Sequence, residues 1–290
     1  MSKLALGTAQ FGQRYGIANH TGQIKISEID KILQLAKNEN INLVDTAIGY
    51  GDSEKIIGDT VYKGFKFVTK LPPVPKDCED LNSWVEEEVQ SSLTRLGIQS
   101  LYGLLLNSSE NLLGAKGKRL INAINRVKIN GFVKKIGISI YDPSECEQIM
   151  RLTRIDIVQA PLNILDQRLI TSGWLSRLHS QDIEIHTRSA FLQGLLLMPR
   201  NKIPKIFDKW SKIWDQWSLE LKKKKLSATV ACLLYPLSFS EIDRVIVGVD
   251  NAAQLNDIIK SSKFQQSNID WSFMISEDQM LINPSNWKNS

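Results

Sequence analysis

At 290 residues, 42% hydrophobic and 23% charged, the chain has an ordinary globular composition, which excludes extended disorder and allows a large core. Its net charge of +5 is spread along the sequence without a basic stripe, so the lysine run at 222–225 reads as a solvated helix face and not as a nucleic-acid surface. The start carries no leader pattern, no run reaches the roughly 18 apolar residues of a membrane helix, and Cys78, Cys146 and Cys232 form no pair by spacing, so a reducing cytosol is expected.

Short β-rich runs alternate with longer amphipathic stretches. Leu4–Gly7 reads as the first strand, and Ser27 is expected to cap a helix through Asn38 that buries Ile29, Ile32, Leu33 and Ala36 on one face. Strands then follow at Leu43–Asp45, 65–70 and Leu101–Leu106, with a helix over Leu81–Leu96 between the last two. A helix over 119–130 leads to a strand at Val133–Ser139, and a helix over 144–152 to strands at 155–160 and Glu184–Arg188. The stretch 206–225 carries Trp210, Trp214 and Trp217 at helical spacing, a stripe read as core. A strand at 244–247 and a helix over 252–261 close the series. Eight strand and helix units predict an α/β fold of the (β/α)8 TIM-barrel type, a single domain over 1–290.

In such a barrel the residues at the strand ends share one rim, where barrel active sites sit. Asp45, Lys70 and Asn107 lie at or just past three successive strand ends, and Tyr50 lies in the loop after Asp45. Taken singly, each has a structural reading: a turn cap, an exposed charge, a packed aromatic. Gly7-Thr8-Ala9-Gln10-Phe11-Gly12 lacks the spacing of a dinucleotide fingerprint; as a rim loop it offers Gln10 as a polar substrate contact. His20, His179 and His186 show no ligand spacing with one another or with the cysteines, so no metal is expected.

The segment Asp45-Thr46-Ala47-Ile48-Gly49-Tyr50-Gly51-Asp52-Ser53-Glu54, followed by Gly58, resembles the signature of the aldo-keto reductases. Thr69-Lys70, Gly137-Ile138-Ser139, Val158-Gln159, Gln193-Gly194-Leu195 and Val247-Gly248 through Gln254-Leu255 extend the resemblance over nearly the whole chain. It implies an oxidoreductase that reduces an aldehyde, ketone or sugar-like carbonyl with NAD(P)H bound without a Rossmann domain. Tyr50 is then the general acid. Lys70 beside it is expected to lower the phenol pKa, and Asp45 to orient the lysine.

Asn107 stands where most members carry histidine. Its amide can hydrogen-bond a carbonyl but cannot titrate, and His20 is the conceivable substitute acid. The potassium-channel β subunits, similar in fold, also carry asparagine there, so the alternative is a nicotinamide-binding regulatory or interaction protein with slow residual turnover.

Ser139 and Gln159 resemble the polar pair that holds the nicotinamide carboxamide, although Ile140 replaces a common asparagine. Arg188 stands where many relatives stack an aromatic ring on the nicotinamide, and it could instead hold an acidic substrate. Gly248, Val249, Asp250, Asn251, Gln254 and Asp257 resemble the segment around the adenosine end. Family habit there favours NADPH, while the lack of lysine and arginine leaves NADH open. The expected partner is a small-molecule carbonyl compound, with neither nucleic acid nor membrane; oligomeric state is left open.

Overall fold

The computed structural model describes residues 2–264 and 269–287. Its elements run β1 (Leu4–Gly7), α1 (Ile26–Asn38), β2 (Leu43–Asp45), α2 (Ser53–Gly58), β3 (Lys66–Leu71), α3 (Leu81–Leu96), β4 (Leu101–Leu106), α4 (Gly117–Ile129) and β5 (Val133–Ser139). They continue with α5 (Glu145–Leu152), β6 (Ile157–Pro161), α6 (Trp174–His179), β7 (Glu184–Arg188), α7 (Ser211–Lys224), α8 (Ala228–Leu237), β8 (Arg244–Gly248) and α9 (Ala252–Ser262). The eight strands form a closed barrel in chain order. Each pairs in parallel with the next, and β8 returns to β1 with Gly248 opposite Gly7. Parallel pairing brings the C-terminal strand ends to one rim: Gly7 faces Asp45, Lys70 faces Leu105, and Ser139 faces Gln159.

Helix α1 buries Ile29, Ile32, Leu33 and Ala36, the expected face. Ser27 is not its cap. The helix starts one residue earlier, at Ile26 behind an extended Lys25, and no side chain caps it. Side-chain caps occur instead at Asp80 on α3, Ser227 on α8 and Asn251 on α9, where a short oxygen-bearing side chain precedes the first turn. Of the tryptophan stripe, Trp214 and Trp217 are buried, and Trp217 packs 5.4 Å from Trp271 between ring centroids. The expected helix over 206–225 divides into a 3-10 segment, Lys205–Trp210, and α7.

The barrel is filled by Ala5, Leu43, Val68, Leu105, Ile157 and Ile246, alternate residues whose side chains point inward. Below them, at the N-terminal strand ends, lies an ionic floor. Glu184 accepts from the Tyr102 hydroxyl at 2.7 Å, pairs with Lys135, and lies 2.8 Å from Nε2 of His186. Burial raises the Glu184 carboxyl, but His186, Lys135 and Tyr102 outweigh that and bring it down to about 2.

A carboxylate depressed in the folded state contributes stability above its unfolded pKa and loses it as pH falls through the folded value. Glu184→Gln is therefore expected to cost about 2 kcal/mol at neutral pH, with solvent screening allowed for. Denaturant titrations of both proteins should show this gap shrinking between about pH 4.5 and about pH 2. A gap that does not change with pH would assign the loss to packing alone.

Candidate active site

The site is built on the loop after β2, which two buried polar groups anchor. Ser53 donates to the Thr8 carbonyl at 3.0 Å and lies 3.3 Å from the Thr46 hydroxyl. Glu54 accepts from Thr69 at 2.6 Å, from Ser92 at 2.7 Å and from Nε of Arg95 at 2.8 Å, tying α2 to β3 and α3. Backbone closeness completes the anchor: a Cβ added to Gly12 would lie 1.7 Å from the Tyr50 carbonyl oxygen. Gly51 meets the same contact from the other side with φ +54, and its own Cβ would sit 2.4 Å from the Gly12 oxygen. Only glycine permits both approaches. These residues hold the loop that carries Tyr50 in place.

At the rim, Lys70 is buried and donates to Oδ1 of Asp45 at 2.7 Å and to the Thr46 carbonyl at 2.9 Å. The second Asp45 oxygen accepts from Nε2 of Gln159 at 2.7 Å. Asp45, itself buried, thus has both oxygens occupied, as a buried carboxylate requires. The Lys70 ammonium lies over the Tyr50 ring, 5.4 Å from its centroid.

The expectation that Lys70 lowers the Tyr50 pKa is not met. Burial, followed by the negative charge of Asp45, pushes the phenol above its ordinary value, and Arg188 lowers it only in part. The physical reason is that the lysine charge is engaged by Asp45 and Thr46, leaving a desolvated phenol near a carboxylate.

Asn107 follows the last residue of β4 and is exposed; no hydrogen bond ties it to Asp45, Lys70 or Tyr50. His20 is exposed as well. Ser139 and Gln159 are buried side by side on β5 and β6. Arg188 ends β7; its Nη2 donates to the Ile140 carbonyl at 3.0 Å and its guanidinium stacks 4.8 Å from the Tyr141 ring centroid. Gln10 lies against Gly248, where an added Cβ would come within 2.8 Å of its amide.

Two contributors went unread in the sequence, Tyr15 and Tyr141. Tyr15 is held above its ordinary pKa by desolvation and by Tyr50, against the charge of Arg188 and the Gln193 side chain. A single aromatic in a rim loop carries no periodic signal, so only the closed barrel reveals this grouping.

The profile of the aldo/keto reductase family matches residues 3–274. The chain belongs to the aldo/keto reductase family. Among solved structures, an aldo-keto reductase of Bacillus halodurans in its holo form superposes with a TM-score of 0.74 at 18% identity, covering 92% of this chain and 88% of that one. A glycerol dehydrogenase of Gluconobacter oxydans gives a TM-score of 0.71 at 20% identity, over 98% and 93%. No curated protein matches the sequence. At such identities these structures are likenesses of fold. Family membership makes the chain an oxidoreductase of the kind that acts on carbonyl compounds.

In this aldo/keto reductase the segment after β8 is clasped to the β1 loop. Asp250 accepts from Nδ2 of Asn19 at 3.0 Å, and its own N–H donates to the Gln254 side chain at 2.7 Å. Asn251 caps α9 by accepting from the Gln254 N–H at 2.9 Å. The next donor, the Ala252 N–H, already meets a carboxylate: Glu28 of α1 accepts from it at 2.8 Å. Val249 is buried behind this segment, while Gln254 and Asp257 are exposed. Among the described residues no helix is long and apolar enough to cross a membrane, and no group of acidic, histidine and cysteine side chains could hold a metal.

Proposed function

We propose that the protein, acting as one barrel over its whole length in a reducing cytosol, reduces an aldehyde, ketone or sugar-like carbonyl to the alcohol with NAD(P)H. The observation that carries this reading is the buried Gln159–Asp45–Lys70 chain beneath Tyr50. A phenol held above its ordinary pKa stays protonated at neutral pH, the state needed by a general acid that protonates the carbonyl oxygen. Asn107, exposed at the same rim, supplies an amide N–H to that oxygen as it gains charge.

The residues present fit a nicotinamide dinucleotide. Gln159 has spent one amide N–H on Asp45 and keeps its carbonyl oxygen for a carboxamide, with Ser139 beside it. At the other end, Gly248, the capped start of α9 and the Gln254 side chain frame the adenosine part. When bound, the cofactor supplies the hydride; the protein orients it and holds the proton on Tyr50.

Charge at the adenosine end bears on which form is preferred. Glu28 and Asp250 place two carboxylates at the start of α9, and no basic side chain lies within 248–257. They oppose the 2′-phosphate of NADPH, so we place NADH at least level with NADPH, against the family habit. Fluorescence titration tests this directly. Wild type is expected to bind NADH as tightly as NADPH or more so, and Glu28→Gln to improve NADPH binding selectively by about fivefold. NADPH binding tenfold tighter than NADH in wild type would overturn the charge argument, and binding of neither would overturn the nicotinamide site.

A further inference from the structure

Arg188 is a half-buried cation without a counterion. Two of its N–H groups are engaged, by the Ile140 carbonyl at 3.0 Å and by the Ser189 hydroxyl at 3.4 Å, and among the described residues no carboxylate lies within 4.0 Å of its guanidinium. Carboxylates of the rim are committed elsewhere. Asp45 is saturated by Lys70 and Gln159, Asp142 and Asp166 pair with Arg168, and Glu145 accepts from Ser109 and from the Tyr141 and Asp142 N–H groups. With Lys70 and Asp45 cancelling, the centre of the rim carries one net positive charge, on Arg188.

Tyr141, after β5, is stacked against the guanidinium, and Tyr15 after β1 and Tyr50 after β2 lie close enough to feel its charge. The backbone behind Arg188 is held in a demanding shape. Ser189, Leu192, Gln193 and Gly194 all take positive φ, and a Cβ on Gly194 would come within 2.5 Å of the Ala18 methyl, which fixes the β1 loop against the β7 loop. Such strain persists where a position is over-determined by its surroundings. A half-desolvated fork of N–H donors among hydroxyls, with no acceptor charge of its own, suits one class of ligand group, a planar or tetrahedral oxyanion.

We infer that Arg188, flanked by Tyr15 and Tyr141, is the anion-binding wall of the substrate site, and that the preferred carbonyl substrate carries a carboxylate or a phosphate. This rests on the reductase reading above and narrows it. The competing role, a guanidinium stacked on the nicotinamide, would affect every substrate alike.

The experiment measures kcat/KM for matched pairs with the holoenzyme: glyoxylate and succinic semialdehyde against their methyl esters, and glyceraldehyde 3-phosphate against glyceraldehyde. It does so in wild type, Arg188→Met and Arg188→Lys, each checked for folding by thermal melt. In wild type the charged member of at least one pair is expected to be favoured by tenfold or more; the carboxylate and phosphate arms tell which anion is read. That ratio should fall close to one in Arg188→Met and recover in part in Arg188→Lys, which keeps the charge and loses the fork. Should Arg188→Met not fold, Arg188→Lys alone decides, by a lowered ratio at an unchanged melting temperature. Turnover of neutral substrates with no charged preference, or a preference that survives the substitutions, overturns the inference and leaves the reductase reading standing. No turnover and no cofactor binding in folded wild type overturns both.

Discussion

Tyr50→Phe is expected to lower carbonyl reduction by between about a hundredfold and about ten-thousandfold, the range in which a positioned proton donor acts, with the fold and cofactor affinity retained. The hydroxyl is the only group removed, and among the described residues no side-chain hydrogen bond depends on it. The pH profile adds a second readout. Because burial and Asp45 hold the phenol above its ordinary range, wild-type reduction should be flat from about pH 6 to about pH 9. Alcohol oxidation, which needs the phenolate to accept a proton, should rise about tenfold per pH unit over the same span. Steady-state rates in both directions check this. Full activity in Tyr50→Phe would remove the tyrosine from the chemistry, and a bell-shaped reduction profile centred near neutrality would mean that Lys70 controls the phenol more strongly than its engagement by Asp45 and Thr46 implies.

The barrel was legible because its strands are short apolar runs separated by amphipathic helices, and each run ends at a residue that can take a turn. Three helices of the ring were not, among them α2, which is only six residues long. Helix α8 buries Ala231, Cys232, Leu233, Tyr235 and Pro236, so it is apolar almost all round and shows no single stripe, and Pro236 in its last turn reads as a breaker. Helix α6 is only six residues long, too short to display a period. The misplaced cap at Ser27 has a related cause: the apolar Ile26 before it is exposed and forms the first turn, which no hydrophobic pattern announces.

Within the site, the order of Asp45, Tyr50, Lys70 and Asn107 along the strand ends was legible because a closed parallel barrel brings successive C-terminal ends together. What each residue spends its charge on was not. The sequence puts a lysine near a tyrosine; the structure gives that lysine to Asp45 and Thr46 and reverses the expected direction of the phenol shift. Ser53 and Glu54 belong to the same ten-residue signature, yet their side chains are wholly occupied in holding the loop. A signature therefore mixes residues proposed for the chemistry with residues of support, and only the hydrogen bonds separate them.

Lys70 separates stability from catalysis most sharply. Lys70→Met leaves Asp45 buried with Gln159 as its only side-chain partner, and an uncompensated buried carboxylate costs about 3–5 kcal/mol, on the order of 10 °C in melting temperature for a chain of this size. Activity should fall with it, because Tyr50 loses the cation lying over its ring. The double variant Asp45→Asn with Lys70→Met removes both charges. The new amide can still hydrogen-bond Gln159 if one of the two amides turns over, so most of the lost stability should return while reduction stays at least about a hundredfold down. Thermal melts and single-turnover rates on the wild type and the variants give both quantities. Recovery of stability without activity would show that the buried pair exists for the tyrosine's proton. Recovery of both would make it a structural tie between β2 and β3, and the chemistry of the rim would then have to rest on Tyr50 and Arg188 alone.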